Sequence, residues 1–359
     1  MKRVFLTNNE DVKFKFTQTP DTFKVIENSK FKLSKRGDYR LIKATKVSTS
    51  TMEMVEYLSS IFKIKEKEIG YAGLKDKHAT TTQYITLPSY VNIKKFKNTP
   101  RLTIEEIGYV KERLKIGNLI SNSFEITLQD LTKEEYKKLQ SAFNRVSNLG
   151  FANFFGYQRF GTLKDSSTKG EKISKFGKGS KNQNSKILLA SYQSVAFNEW
   201  LNKRLELSFN IINNNSLDSY LSSLISPNLI EELKNQPSLF KLLPGDLGYF
   251  YNKGKKDFKI VNNIKKYIDS FLDKKFYITG VLFGNSVRLS TSIAGKIERR
   301  YIDYSFNALR GARRDAWVFP KNPKIEYNSS FNSATLYFTL PPGSYATVLL
   351  EELQRKELI

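Results

Sequence analysis

The stretch "EIGYAGLKDKHATTTQYITL", residues 68–87, decides how the chain is read. "EIGYAG" (68–73) and "TQYITL" (82–87) have the short, apolar, aromatic and β-branched texture of strands. Between them stand Lys75, Asp76, Lys77, His78 and the run Thr80, Thr81, Thr82. A strand-loop-strand support of this kind holds a side chain rigidly. Flanking lysines favour the ionised form of Asp76, which would suit a nucleophile or a base. The lysines would also suit phosphate, and the threonines sugar, phosphate or backbone. A solvated hairpin loop with local ion pairs accounts for the same residues. His78 is the only histidine, and no G-x-S-x-G elbow accompanies it, so a Ser-His-Asp triad is not expected.

Outward from this segment, composition narrows the chemistry. A chain of 359 residues is long for a single core, and two domains are expected. There is no cysteine, which excludes disulfides and thiolate metal sites, and one histidine excludes a multi-histidine site within the chain. Lysine and arginine total 59 against 35 acidic residues, a net charge of +24 that suits a polyanion such as nucleic acid. A lysine-rich composition kept for solubility would give the same balance. Phe and Tyr, 26 and 19 residues, supply core and, beside basic residues, stacking surface. The N-terminal "MKRVFLTNNEDVKFKF" lacks the apolar core of a signal peptide, and no apolar run has the length of a membrane helix. A cytoplasmic protein with no membrane partner is expected.

Periodicity predicts a strand at 21–27, a helix at 51–64 capped by Ser50 or Thr51, and a strand at 123–131. A helix follows at 132–150, with Thr132 and Glu135 in capping-box spacing and Gly150 as its stop. Residues 161–186 carry seven lysines, five serines and four glycines and read as a linker or loop. Helical patterns follow at 187–205 and 216–225, then short strands and turns. Residues 294–315 read as a basic helix, and 333–354 as strand, Pro-Pro-Gly-Ser turn and helix. The fold class is α+β, a mixed and mainly antiparallel sheet with flanking helices.

Two further motifs could carry function. "NFFGYQRFG" (153–161) crowds aromatic and polar residues. In extended backbone Phe154 and Phe155 point opposite ways, so one can enter the core while the other offers a stacking face. An aromatic turn of the core is the plainer alternative. In "PPGSYATVLLEEL" (341–353), Gly343 and Ser344 precede a helix whose N-terminus could hold an anion, or Ser344 could simply cap it. The chain has no GxxxxGK[ST] loop and no G-x-G-x-x-G after a strand, which argues against nucleotide or dinucleotide cofactors.

Together these motifs resemble the TruD family of tRNA pseudouridine synthases. "GYAGLKDKHATTTQ" is similar to that family's A-G-x-K-D-x-x-A-x-T-x-Q signature at Ala72, Gly73, Lys75, Asp76, Ala79, Thr81 and Gln83. "NFFGYQRFG" is similar to N-[YF]-F-G-x-Q-R-F-G at Asn153, Phe155, Gly156, Gln158, Arg159, Phe160 and Gly161. "PDTFKVIE" (20–27), "LKIGNLISNSF" (114–124), "SYQSVAFN" (191–198), "PGDLG" (244–248), "TGVLFG" (279–284), "ARRDAWVFP" (312–320) and "LPPGSYAT" (340–347) follow in the family's order. Thr17 stands where members commonly carry a lysine, with Lys15 nearby, and Ser121 replaces a glycine of the 114–124 pattern.

The resemblance implies a pseudouridine synthase catalytic domain, 1–161 with 315–359, interrupted by an inserted TRUD domain at 162–314. It implies a tRNA partner, a target uridine at position 13, no cofactor and no metal. Asp76 would be the essential carboxylate. Phe155 would stack on the uracil, and Asn153 would hydrogen-bond near Asp76 or the target. Lys75 would act electrostatically or on phosphate. Glu27 belongs to a matching motif, and Arg159, Arg313 and Arg314 are candidates for phosphate or for ion pairs within the protein. A monomer is expected. A non-catalytic tRNA-binding protein or RNA chaperone on the same scaffold is the main rival. A methyltransferase would need a cofactor site for which no fingerprint is present.

Overall fold

A computed structural model describes residues 3–8, 10–160, 183–252, 254–306 and 309–358. The strands are, in chain order, β1 (Phe23–Asn28), β2 (Tyr39–Val47), β3 (Gly70–Tyr71), β4 (Thr80–Pro88), β5 (Leu102–Val110), β6 (Ser121–Leu128), β7 (Phe151–Ala152), β8 (Leu247–Asn252), β9 (Lys255–Ile260), β10 (Phe276–Leu282), β11 (Ala312–Asp315), β12 (Trp317–Val318), β13 (Lys321–Asn328) and β14 (Ser333–Leu340). The helices are α1 (Thr51–Phe62), α2 (Lys133–Leu149), α3 (Gln183–Ile212), α4 (Ser219–Leu224), α5 (Pro227–Lys234), α6 (Ile264–Leu272), α7 (Ser292–Arg299) and α8 (Ala346–Gln354). The fold is mixed α and β, with a mixed sheet.

The chain forms two compact units. One, the large-sheet unit, is Val12–Ser141 with Pro320–Gly343; the other, the small-sheet unit, is Met1–Asp11, Ala142–Phe319 and Ser344–Ile359. These limits fall at other chain positions than the domain boundaries expected at 161/162 and 314/315. The difference has a visible cause. β7 pairs with β12 in antiparallel register, Trp317 opposite Ala152. The Trp317 indole also donates to the Leu149 carbonyl at 2.8 Å. Residues 142–160 are therefore packed with the segment around 312–319.

The large-sheet unit is built on the order β13-β14-β6-β1-β4-β2-β5, with β3 on β4. Every pairing is antiparallel except β1 with β4, where Lys24 lies opposite Thr80. α1 closes one face. Its Met54, Val55, Leu58 and Phe62 recur at helical spacing and pack on Ile42, Ala44, Ile85 and Leu87 of β2 and β4. Each such side chain contributes about 1.5–3 kcal/mol when fully buried. Ser50 is the cap: its hydroxyl accepts from the Glu53 amide at 3.1 Å, and the Glu53 carboxylate accepts from the Ser50 amide at 2.7 Å. The helix ends with Lys63 in the left-handed region, φ 55°.

In the small-sheet unit four antiparallel strands run β11-β10-β8-β9. Gly280 of β10 lies where a Cβ would meet the Trp200 ring of α3 at 2.1 Å, so helix and strand approach as only glycine permits. Gly150 stops α2 with φ +79°, as expected. Thr132 also caps α2, its hydroxyl accepting from the Glu135 amide at 3.2 Å, while the Glu135 carboxylate accepts from the Lys13 amide.

Two expectations needed correction. The helix predicted over 294–315 is confined to α7, and Ala312–Asp315 is strand β11, paired with β10. Alternation explains it: Arg313 and Arg314 leave opposite faces of a strand, which a helical reading merges into one basic surface. Of "EIGYAG" only Gly70–Tyr71 is strand. The loop predicted at 161–186 lies outside the described residues up to 182, and α3 begins at Gln183.

Candidate functional site

Asp76 lies in the loop between β3 and β4, and the signature around it is spent on holding that loop. The Lys75 amide donates to the Thr51 hydroxyl at 2.9 Å, and that hydroxyl donates to the Gln83 amide oxygen at 2.9 Å. Gln83 and Thr81, on β4, are fully buried, as are Ala72 and Ala79 at the two ends of the loop. The Ala79 carbonyl accepts from the Ser48 amide at 3.2 Å. The loop is thus fastened to the N-terminus of α1, to the end of β2 and to β4.

Lys75 turns inward. Its ammonium is 3.0 Å from the Glu27 carboxylate of β1 and donates to the Asn122 side-chain oxygen at 2.6 Å. Both side chains of the ion pair are buried. Lys75 and Glu27, both named from sequence as candidate substrate-binding residues, are therefore ion-paired with each other and tie the loop to β1 and β6. His78 is exposed, and Lys77 pairs at the surface with Glu53 at 2.6 Å. Thr80 donates to the Pro20 carbonyl at 2.9 Å.

The residue missed by sequence reasoning is Lys46. It lies on β2, is fully buried, and its ammonium donates to the backbone carbonyl of Asp76 at 3.0 Å and to that of Thr49. Burial lowers its pKa from 10.5 to about 8, against the raising influence of Asp76. Burial likewise raises the Asp76 pKa, while Lys46, its own loop amide, Lys75 and His78 pull it down. A partly buried carboxylate on a fastened loop, with cations near enough to favour its charge, can act as base or nucleophile. The available signal was phase: Ile42, Ala44 and Lys46 alternate onto one face of β2, and the first two are core residues. Lys15, the nearest candidate in sequence for the lysine replaced by Thr17, is exposed and its backbone bridges to Gln129.

Asn153, Phe155 and Arg159 come together in the small-sheet unit. The Asn153 amide donates to the Asp315 carbonyl at 2.9 Å and accepts from Arg314 at 3.1 Å. Asn198, from the "SYQSVAFN" motif, clamps Phe155 from both sides, accepting from its amide at 2.8 Å and donating to its carbonyl at 3.0 Å. The Phe155 ring is 9% exposed, with the Arg314 guanidinium 3.8 Å and the Arg159 guanidinium 5.4 Å from its centroid. Arg159 also donates to the Ser194 hydroxyl at 3.2 Å. Phe154 is buried too, against Arg3, so both phenylalanines enter packed surroundings, on different neighbours.

Arg314 is buried and its pKa lowered to about 10, and Arg313 is buried in an ion pair with Glu298 at 2.7 Å. A phosphate role for Arg313 does not fit that geometry. The "PGDLG" motif also has a structural use: Asp246 takes a two-point hydrogen bond from Arg204 at 2.6 and 2.9 Å, both residues about 1% exposed. Ser344 does not cap α8; its hydroxyl is buried without a hydrogen-bond partner.

A crystal structure assigned to tRNA pseudouridine synthase D (TruD) of Methanosarcina mazei matches with a TM-score of 0.64, covering 99% of this chain and 96% of that one at 20% identity. Among curated relatives, the protein named tRNA pseudouridine synthase D in Wolinella succinogenes is 34% identical over 362 residues, covering 100% of this chain and 99% of its own. That of Nitratiruptor sp. is 36% identical over 363 residues with the same coverage. The family model of TruD, tRNA pseudouridine synthase D, matches residues 2–175 and 215–353. The chain belongs to the TruD family.

Proposed function

We propose that this protein isomerises uridine in tRNA to pseudouridine, at position 13, without a cofactor and with Asp76 as the essential carboxylate. In the reaction the N1–C1′ bond breaks, the uracil turns, a C5–C1′ bond forms, the C5 hydrogen leaves as a proton and N1 takes up a proton. Atoms and electrons balance within one nucleotide. The chemistry asks for an extruded nucleotide, a retained base and a well-placed carboxylate. Whether the carboxylate adds to C1′ or removes the 2′ proton, it must be ionised.

The observation that carries the reading is the Asp76 loop. Its carboxylate is partly withdrawn from water at a cost, and Lys46 and Lys75 lie where they favour its charged form. A pure RNA binder gains nothing from a desolvated carboxylate that would repel phosphate, which weighs against the non-catalytic rival. Lys46, which holds the Asp76 carbonyl, is the proposed substitute for the lysine that the family resemblance leaves open at Thr17. Lys75 and Glu27 act as positioning residues for the loop.

In the small-sheet unit, Phe155 is the proposed base-stacking ring and Arg159 the proposed substrate-side cation. Asn153 orders them through Arg314. The family's inserted domain is proposed at 162–314. The net charge of +24 supports tRNA as partner. No described helix is long and apolar enough to cross a membrane, and a cytoplasmic location follows from a tRNA substrate. The test is tritium release from tRNA labelled at uridine C5, comparing wild type with Asp76→Asn. Release abolished in a variant that still binds tRNA supports the reading; no release by wild type on tRNA it binds refutes it.

A further inference from the structure

The loop that carries Asp76 leaves one apolar side chain in solvent. Leu74, two residues before the carboxylate, is 64% exposed. The residues on either side of it are committed to the fold. The Ala72 side chain is buried, and its carbonyl accepts from the Gly117 amide at 2.8 Å. The Gly73 carbonyl accepts from the Gln83 side chain at 3.5 Å. The Lys75 amide is held by Thr51, and its buried side chain is turned inward onto Glu27. A leucine on slack chain could fold back onto apolar surface. On backbone fastened at both sides, Leu74 stays outside.

Leu74 is not alone in its exposure. The segment tied to the loop through Gly117 carries Ile116 and Ile120, 69% and 51% exposed. Its Leu119 side chain would lie 3.9 Å from a Cβ at Gly73. Lys115, next to Ile116, is exposed as well. Loop and segment together hold aliphatic side chains in water beside the proposed catalytic carboxylate, with a cation at their edge.

We propose that Leu74 is the wedge of nucleotide extrusion: it enters the base stack of the RNA at the step the target uridine leaves, while Lys115 meets a flanking phosphate. The inference rests on the tRNA reading above and deepens it. An aliphatic wedge between base steps offsets the lost stacking and hinders the extruded nucleotide from returning. Such a wedge must be held stiffly at a fixed distance from the reacting atoms, which a position two residues from Asp76 on a fastened loop provides. A polar side chain there would lose its hydration inside the stack without gaining a partner. A protein partner covering Leu74 would crowd the approach to Asp76, and with it the substrate.

The experiment uses tRNA with 2-aminopurine on the 3′ side of the target uridine, whose fluorescence rises when its stack is opened, and single-turnover tritium release on the same protein preparations. Wild type is expected to raise the fluorescence. Leu74→Ala, shown to be folded by circular dichroism, is expected to bind tRNA within about two-fold of wild type, to leave the fluorescence low and to release tritium about ten-fold more slowly, with Leu74→Met restoring both. An RNA with an abasic site beside the uridine is already unstacked there, and on it Leu74→Ala is expected to match wild type. A deficit equal on both RNAs marks a role in folding alone and overturns the wedge. A wild-type fluorescence rise and rate in Leu74→Ala also overturns it and leaves the function standing. A fluorescence rise lost in Leu74→Ala, with no tritium released by wild type, supports the wedge and refutes the function; no rise with wild type overturns the wedge.

Discussion

Replacing Lys46 with methionine tests how the Asp76 loop is held. Lys46 is fully buried, and its pKa falls from 10.5 to about 8. At about 1.4 kcal/mol per pH unit, that displacement corresponds to about 3 kcal/mol favouring the neutral amine. Below pH 8 the lysine is protonated in both folded and unfolded chains, and the cost of burying its charge is present in full. Between pH 8 and 10.5 the folded protein gives up the proton first, so stability rises with pH; above 10.5 the cost is gone.

Methionine removes this charge and fills similar volume, but leaves the carbonyls of Asp76 and Thr49 without their donor, at about 1–3 kcal/mol each. The variant's net stability at pH 7 should therefore lie within a few kcal/mol of wild type. The decisive quantity is the difference between the two proteins in urea-denaturation free energy. It should shift by about 3 kcal/mol toward wild type between pH 7.5 and 10.5. The pH–rate profile should change as well. Asp76, its pKa already raised by burial, loses its strongest counter-charge, so the acid limb of activity should move to higher pH in the variant. A pH-independent stability difference together with an unmoved acid limb would refute this account of Lys46.

Other substitutions probe the remaining framework. Glu27→Gln leaves the Lys75 ammonium buried without its counter-charge; a loss of about 3–5 kcal/mol in denaturation is expected, partly recovered by adding Lys75→Met. Arg204→Ala strips Asp246 of its two-point partner and should cost a similar amount, a loss below about 1 kcal/mol contradicting the reading. Asp76→Asn removes a carboxylate whose pKa is raised by burial. That group's cost is absent below its unfolded pKa and grows as pH rises through the folded value, so at pH 7 the variant's melting temperature should equal or exceed that of wild type. Gly150→Ala should lower the melting temperature markedly, because φ is +79° and a Cβ would lie 2.3 Å from the Trp317 indole nitrogen.

Much of this architecture was legible because local signals agreed with the fold. A capping hydroxyl at Ser50 or Thr51 announces α1, the structure choosing Ser50, and its apolar spacing names the residues that reach the sheet. The signature around Asp76 was legible as a motif, and the structure gives its residues physical work: Thr51 and Gln83 hold the loop by hydrogen bonds, and Ala72 and Ala79 pack its ends. What was not legible depends on contacts distant in sequence. Lys46 becomes a partner of Asp76 only when β2 pairs with β4, with Lys46 opposite Thr81. Lys75 looked like a phosphate ligand until β1 brought Glu27 to it. Arg313 and Arg314 read as one basic helical surface because composition carries no sign of the strand that separates them.

The most direct test of the central claim is tritium release from tRNA carrying the label at uridine C5, by wild type and by Asp76→Asn, with tRNA binding measured on the same preparations. The account predicts release by wild type from a single position, and none by a variant that binds tRNA undiminished. Release by Asp76→Asn at the wild-type rate would contradict it.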